Sequence, residues 1–333
     1  MRDGAILFQA LREEQGQEMS GNGIETRLVY GFLDAGKTTY IRDCIQNDFF
    51  FKYGTTLILC FEQGEETYDA EALSGRKTFV AYYDGEEDVG AFCRNSIEAY
   101  HPDRIYVEMN TMMQGLREQL PDCMRITFVT AWIDWNTLDL YYVNLRKMLS
   151  EMVSEAHQVT FRGCPSKEML EPYSQGFRLM NQKASYLRQD PMGYHEKAFD
   201  LFLPYSLEDK EITISEGRFL PLWLDAFDHP EHYEGKTIRF IDPLELRRIG
   251  TDGAWFAGRV VMTCCMADLQ FMAFELKGAS AVFDGGWIGL DALALVESDE
   301  YGQRKLKLKV KQFRHVPAPE TTILDSRRRD VQG

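Results

Sequence analysis

Residues 31–39 read Gly31-Phe32-Leu33-Asp34-Ala35-Gly36-Lys37-Thr38-Thr39, a complete G-x-x-x-x-G-K-[ST] loop. Its flanks are those such a loop needs. Leu28, Val29 and Tyr30 make an apolar strand end before it, and Tyr40, Ile41, Cys44 and Ile45 fall at helical spacing after it. Gly31 and Gly36 let the backbone curl so that its N–H groups point at an anion, with Asp34, Ala35 and Thr39 completing the lining. Lys37 brings a positive charge to the β- and γ-phosphates, and Thr38 a hydroxyl for Mg²⁺. The N-terminus of the following helix favours the same anion. The expectation is a nucleotide-binding α/β domain of the P-loop kind.

Working outward, 333 residues suggest two domains, and 44% hydrophobic with 13% aromatic residues supply material for packed cores. A net charge of −15 argues against nucleic acid or an anionic membrane as partner. Seven cysteines without the spacing of a disulfide framework suit a reducing cytoplasm. No apolar run reaches the length of a membrane helix, so no membrane insertion is expected.

Residues 1–23 read as a flexible leader. From residue 24 to 190, strand-like runs at 56–61, 78–82, 104–108, 126–130 and 158–161 alternate with helical stretches, the clearest a stripe from Leu138 to Met152. Such alternation implies a mostly parallel sheet covered on both faces. Residues 191–224 read as a linker. Short β-rich segments at 236–241, 254–263, 269–276, 287–296 and 305–313 then predict a small β-barrel over 225–320, followed by a tail at 321–333.

Within the first domain, the strand Arg104–Glu108 ends on a carboxylate where a second acidic group would approach Mg²⁺. Asn110 and Thr111 after it form a small polar turn suited to sensing a γ-phosphate. The acidic loop carrying Glu62, Gly64 and Glu65 stands where a switch segment would order on nucleotide binding. A solvated strand end and an ordinary acidic loop are the plainer alternatives.

The Gly31–Thr39 loop, the Glu62–Glu65 loop and the Glu108–Asn110 turn together resemble the CobW-type GTPases, relatives of the urease and hydrogenase nickel-insertion GTPases, over about residues 25–190. The resemblance implies a GTP-dependent role in metal trafficking, with Lys37 on phosphate, Thr38 on Mg²⁺, and Glu62 and Glu108 in switch and Walker B roles. Two features depart from that pattern. No Cys-x-Cys-Cys triplet follows the switch loop, and Arg162 stands where the family's guanine-reading Asn is expected. GTP and ATP both therefore remain open as the nucleotide.

In the second domain, Cys264 and Cys265 end an apolar strand, with Asp268 three residues on. Two thiolates and a carboxylate there are candidate ligands for zinc, and two small residues filling a barrel core are the alternative. The run His229-Pro230-Glu231-His232-Tyr233-Glu234-Gly235-Lys236, with Gly258-Arg259-Val260, the Cys-Cys pair and Gly286-Trp287-Ile288, resembles the C-terminal domain of the YcgQ-like permease-associated family over about 225–320. That resemblance implies an OB-like barrel in the company of metal homeostasis. His229 and His232 are extra candidate ligands, with ordinary surface histidines as the alternative. Lysines alternating through 305–311 read as a protected edge strand rather than a nucleic-acid surface.

Together these readings predict a cytoplasmic, slow GTPase that couples nucleotide state to zinc delivery. Catalysis would fall to Lys37, Thr38 and Glu108. A client metalloprotein or permease subunit is the expected partner, and a homodimer is left open. The competing reading is a non-enzymatic regulatory or scaffold subunit toggled by nucleotide, in the company of a membrane permease.

Overall fold

Apolar runs that are buried along their whole length organise the first half of the chain. A computed structural model describes residues 23–47, 54–62, 64, 66–69, 73, 75, 77–113, 115–199, 203–249, 253–263, 268–278, 285–299 and 302–325. The leader up to residue 22, Glu65, Cys264, Cys265 and residues 326–333 lie outside the described residues. The chain divides into two compact units, one of residues 1–170 and 183–199, the other of 171–182 and 200–333.

The first unit holds β1 (Ile24–Gly31), α1 (Lys37–Asn47), β2 (Thr56–Cys60), β3 (Thr78–Tyr82), α2 (Val89–Tyr100), β4 (Arg104–Glu108), β5 (Met124–Asp134), α3 (Trp135–Asn144), α4 (Arg146–Ser154) and β6 (Gln158–Arg162). After an excursion into the second unit it closes with β7 (Ser185–Gln189) and β8 (His195–Lys197). Its sheet runs β3-β2-β4-β1-β5-β6-β7-β8, parallel except for β8. Leu28 and Val29 on β1, every residue of β2, and Ile105 to Glu108 on β4 are buried, as strands covered on both faces require. The helices begin on local signals. Asp88 caps α2 by accepting from Ala91 N at 2.9 Å, and Asp134 caps α3 by accepting from Asn136 N at 2.6 Å. The apolar stripe expected as one helix is two, because Leu145 leaves the helical region at φ −120°, ψ 31°.

The second unit opens with α5 (Glu171–Met180) and continues with β9 (Glu211–Ile214), α6 (Glu216–Asp228), a 3₁₀ turn at Pro230–Tyr233, β10 (Thr237–Ile249), β11 (Ala254–Met262), β12 (Leu269–Lys277), β13 (Gly286–Ser298), β14 (Arg304–His315) and β15 (Ile323–Asp325). Five strands close a barrel in the order β10-β11-β12-β14-β13, since β10 pairs with both β11 and β13. All its pairings are antiparallel except β12 with β14. Strands β9 and β15 extend it alongside β10 and β11. The barrel interior is filled by Leu246, Ala257, Phe274, Ile288, Leu290 and Leu308, with Leu179 of α5 and Phe219 of α6 in the same cluster. At Gly258 the β11 and β12 backbones approach so closely that a Cβ would lie 2.0 Å from Met272 O.

Two expected boundaries change. The stretch 191–224 is no linker, for it carries β8, β9 and the start of α6. The tail expected from residue 321 still belongs to the barrel: Thr321 O accepts from the buried Arg259 Nη2 at 2.6 Å, and β15 pairs with β11.

Candidate functional site

The ends of β1, β2 and β4 meet because β4 lies between the other two, with Glu108 level with Val29 on one side and Cys60 on the other. The Gly31–Thr39 loop therefore turns over the carboxyl edge of the sheet, where ligands of open parallel sheets bind. Phe32 anchors it, stacked on Tyr141 of α3 at 4.0 Å between ring centroids. Asp34 and Gly36 both take positive φ, 59° and 98°. Gly36 has a further reason to be glycine, since a Cβ there would sit 2.7 Å from Arg162 Cδ.

Lys37 is almost wholly buried, its side chain 2% exposed. Its ammonium donates to Gly31 O and Phe32 O, each at 2.9 Å, and pairs with the Glu62 carboxylate. Thr38 Oγ1 donates to Glu108 Oε1 at 2.7 Å. The other Glu108 oxygen accepts from the Tyr68 hydroxyl and lies 3.8 Å from Cys60 Sγ. Burial pushes the Glu108 carboxyl above its usual value, against the opposing pull of the Tyr68 and Thr38 hydrogen bonds and the Lys37 charge. Burial, with Glu108 alongside, pushes the Cys60 thiol up to about 12.

These groups surround a cavity of about 190 Å³ lined by Asp34, Gly36, Lys37, Thr38, Thr39, Glu62, Gly64, Glu66, Glu108 and Arg162 among others. Asp34, Gly36, Lys37, Thr38, Thr39, Glu62, Gly64 and Glu108, named from the sequence, are thus brought together. Ala35 is buried in the core beneath the loop, and Gly31 holds the Lys37 ammonium by its carbonyl. Thr111 is placed differently from a γ-phosphate sensor. Its hydroxyl clasps Gly31, donating to O at 2.9 Å and accepting from N at 3.2 Å.

Leu33, Glu66 and Arg162 also line the cavity, a place the sequence reading did not assign them. Glu66 reaches α1, accepting from Thr39 Oγ1 at 3.1 Å and pairing with Arg42 at 3.2 Å. Arg162 folds over the loop, donating from Nη1 to Asp34 O at 3.2 Å. Its place at the end of β6 was legible, but its direction was not. A larger cavity of about 400 Å³, lined by Tyr30, Met109, Thr111, Met148, Met152 and Glu155 among others, shares no lining residue with the first.

In the second unit, Asp268 accepts from the Thr263 hydroxyl, while Thr263 N donates to Asp268 O at 3.2 Å. The carboxylate thereby ties together the two ends of the β11–β12 connection. Cys264 and Cys265 fall within that connection, outside the described residues. Along β14, Leu306 and Leu308 are buried while Lys305 pairs with Asp299 at 2.9 Å, and Lys307 with Glu275 at 2.8 Å and Glu297 at 3.2 Å. Among the described residues no helix is long and apolar enough to cross a membrane.

Residues 193–323 match the family model described as the DUF1980 C-terminal domain. No curated protein matches the chain. Among solved structures it is similar to the hydrogenase maturation factor HypB of Archaeoglobus fulgidus, with a TM-score of 0.35 and 14% identity over 55% of this chain and 85% of that one. A likeness at that score bears on neither fold nor function.

Proposed function

We propose that the chain is a P-loop nucleoside triphosphatase of the CobW kind, with an OB-like barrel, that couples the state of a bound nucleotide to the handling of a transition metal. The observation that carries the reading is the meeting of Lys37, Thr38, Glu62 and Glu108 around one cavity at the ends of β1, β2 and β4. The Thr38 hydroxyl and Glu108 carboxylate, 2.7 Å apart, are hard oxygen donors that suit Mg²⁺. When bound there, that ion supplies charge neutralisation to the phosphates. Lys37 adds its charge beside the loop amides, and Arg162 stands ready to add another from above the loop.

Glu62 supplies the coupling. It and a phosphate compete for one ammonium, so nucleotide binding frees Glu62 and reorganises the acidic loop that follows it. This competition also suits the second reading, a nucleotide-toggled regulatory subunit without turnover. Zinc is the metal we assign, with Cys264 and Cys265 as thiolate ligands in the β11–β12 connection and a client metalloprotein or permease subunit as recipient, in the cytoplasm.

Equilibrium binding of fluorescent GTP and ATP with Mg²⁺ tests the reading. Lys37→Ala is expected to abolish both signals, and unchanged binding would refute the assignment. Because Arg162 lies on the loop and does not stand as a base-reading amide, GTP is expected to be preferred over ATP by less than about 1,000-fold. Phosphate release with and without Zn²⁺ separates a metal-coupled hydrolase from a toggled scaffold. Serine at both cysteines is expected to lower the bound zinc, and equal zinc in parent and variant would remove the pair from the site.

A further inference from the structure

We propose that His229, Glu231 and His232 form a binding site for a late first-row divalent cation on the second unit, distinct from the Cys264–Cys265 pair. His229 is the residue that follows α6 and precedes the 3₁₀ turn, which starts at Pro230 and carries the other two. The two imidazoles stack, with ring centroids 4.9 Å apart and 27° between planes. One ligand atom from each of the three residues lies within 4.8 Å of the others. Two imidazole nitrogens and one carboxylate oxygen are the donor set of three-ligand zinc sites that keep an open position.

A second observation gives the cluster a direction. His232 Nδ1 lies 2.9 Å from Oδ2 of Asp225, whose side chain is only 7% exposed. The same oxygen accepts from the Tyr233 hydroxyl at 2.8 Å, and Tyr233 Oη is 2.8 Å from Tyr205 Oη. Oδ2 is thus an acceptor, and the His232 imidazole proton resides on Nδ1, leaving the Nε2 lone pair for an ion. A carboxylate that orients a ligating histidine in this way fixes its tautomer and raises its basicity. Glu231 is oriented too. Its Oε2 faces Arg304 Nη1 at 3.6 Å, while Oε1 lies 3.6 Å from His229 Nδ1. His229 and Glu231 are exposed and His232 partly so, which allows an ion to be taken from and passed to another molecule.

The test is a titration with Co²⁺ under reducing conditions of the full chain carrying Cys264→Ser/Cys265→Ser, the parent for this experiment, so that the thiolate pair contributes nothing to the signal. The expected result is a saturable d–d absorption without the charge-transfer band of a thiolate ligand. His229→Ala/His232→Ala should abolish it while the metal-free chain still melts cooperatively, at a lower midpoint because Asp225 loses a partner, and His232→Gln should weaken it. Asp225→Asn, which removes the orienting charge, should weaken Co²⁺ by roughly 10–100-fold and move the d–d band, which a packing defect alone would not do. Absence of saturable absorption in the parent, or its survival in the double variant, would overturn the site. Lys37→Ala should bind Co²⁺ like the parent, so failure here is distinguishable from failure of the nucleotide reading.

Discussion

Lys37 is at once a candidate ligand-binding residue and part of the buried structure, and the two roles separate experimentally. Its ammonium satisfies two loop carbonyls and neutralises Glu62, whose side chain is 10% exposed. Lys37→Ala leaves that carboxylate in a nearly dry place without its partner, which costs about 3 kcal/mol, the low end for a buried pair because Glu62 keeps some water. Denaturant melts should show that loss. Lys37→Met/Glu62→Gln should recover most of it while nucleotide binding stays absent. If the double variant melts like Lys37→Ala, the pair is not what stabilises the loop. Glu108 gives a pH signature. Its raised value keeps it protonated to a higher pH than the ordinary carboxylate value of 4.5. Mg²⁺-dependent nucleotide affinity is therefore expected to fall as pH drops through that raised value, and Glu108→Gln should show a weak, flat profile. The folding contribution has the opposite slope: it is fully present below the unfolded value and is lost as pH rises through the folded one. Parallel slopes for binding and stability would rule Glu108 out as the titrating group.

At the scale of elements, apolar runs marked the strands well because parallel strands bury both faces and barrel strands bury every second residue. The runs at 78–82 and 104–108 coincide with β3 and β4, and 254–263 overlaps β11 to within a residue. Several things were not legible, strands β7 and β8 among them, each because long-range contacts decide it. Leu145 interrupts an unbroken apolar stripe. Helix α5 has an apolar face that says nothing about which core receives it. Strands β9 and β15 are only four and three residues long and exist as partners of β10 and β11. Arg162 could be placed at a strand end, yet only the fold shows it turning back over Asp34 and Gly36. Gly258 is the sharpest element-level case, since glycine inside a strand reads as a weakness until the neighbouring backbone is seen. Gly258→Ala must push β11 away from β12, and is expected to cost about 1–3 kcal/mol or more. Thermal melts followed through Trp255 and Trp287, both on barrel strands, should register it. An unchanged midpoint would mean that the two strands are not so close.

For the whole molecule, the net charge of −15 and the lysine-lined strand are compatible because Lys305 and Lys307 are already engaged by Asp299, Glu275 and Glu297. Connectivity is the less obvious property. The chain leaves the first unit after Leu170, gives α5 to the second, returns through β7 and β8, and only then builds the barrel. The second unit's core thus contains a residue, Leu179, that precedes part of the first unit in sequence. Arg178 beside it pairs with Asp228 at the end of α6, fixing α5 from its polar side. Leu179→Ala removes three buried carbons from the barrel cluster and none from the parallel sheet, so it is expected to destabilise the second unit by about 2–5 kcal/mol. Because α5 belongs to the barrel's core in space though not in sequence, native-state hydrogen exchange is the measurement to use. Amides of β10, β11 and β13 should lose protection in Leu179→Ala, while those of β1, β4 and β5 keep theirs. Equal loss in both sets would show that the two units unfold as one, and loss confined to β1, β4 and β5 would return α5 to the first unit.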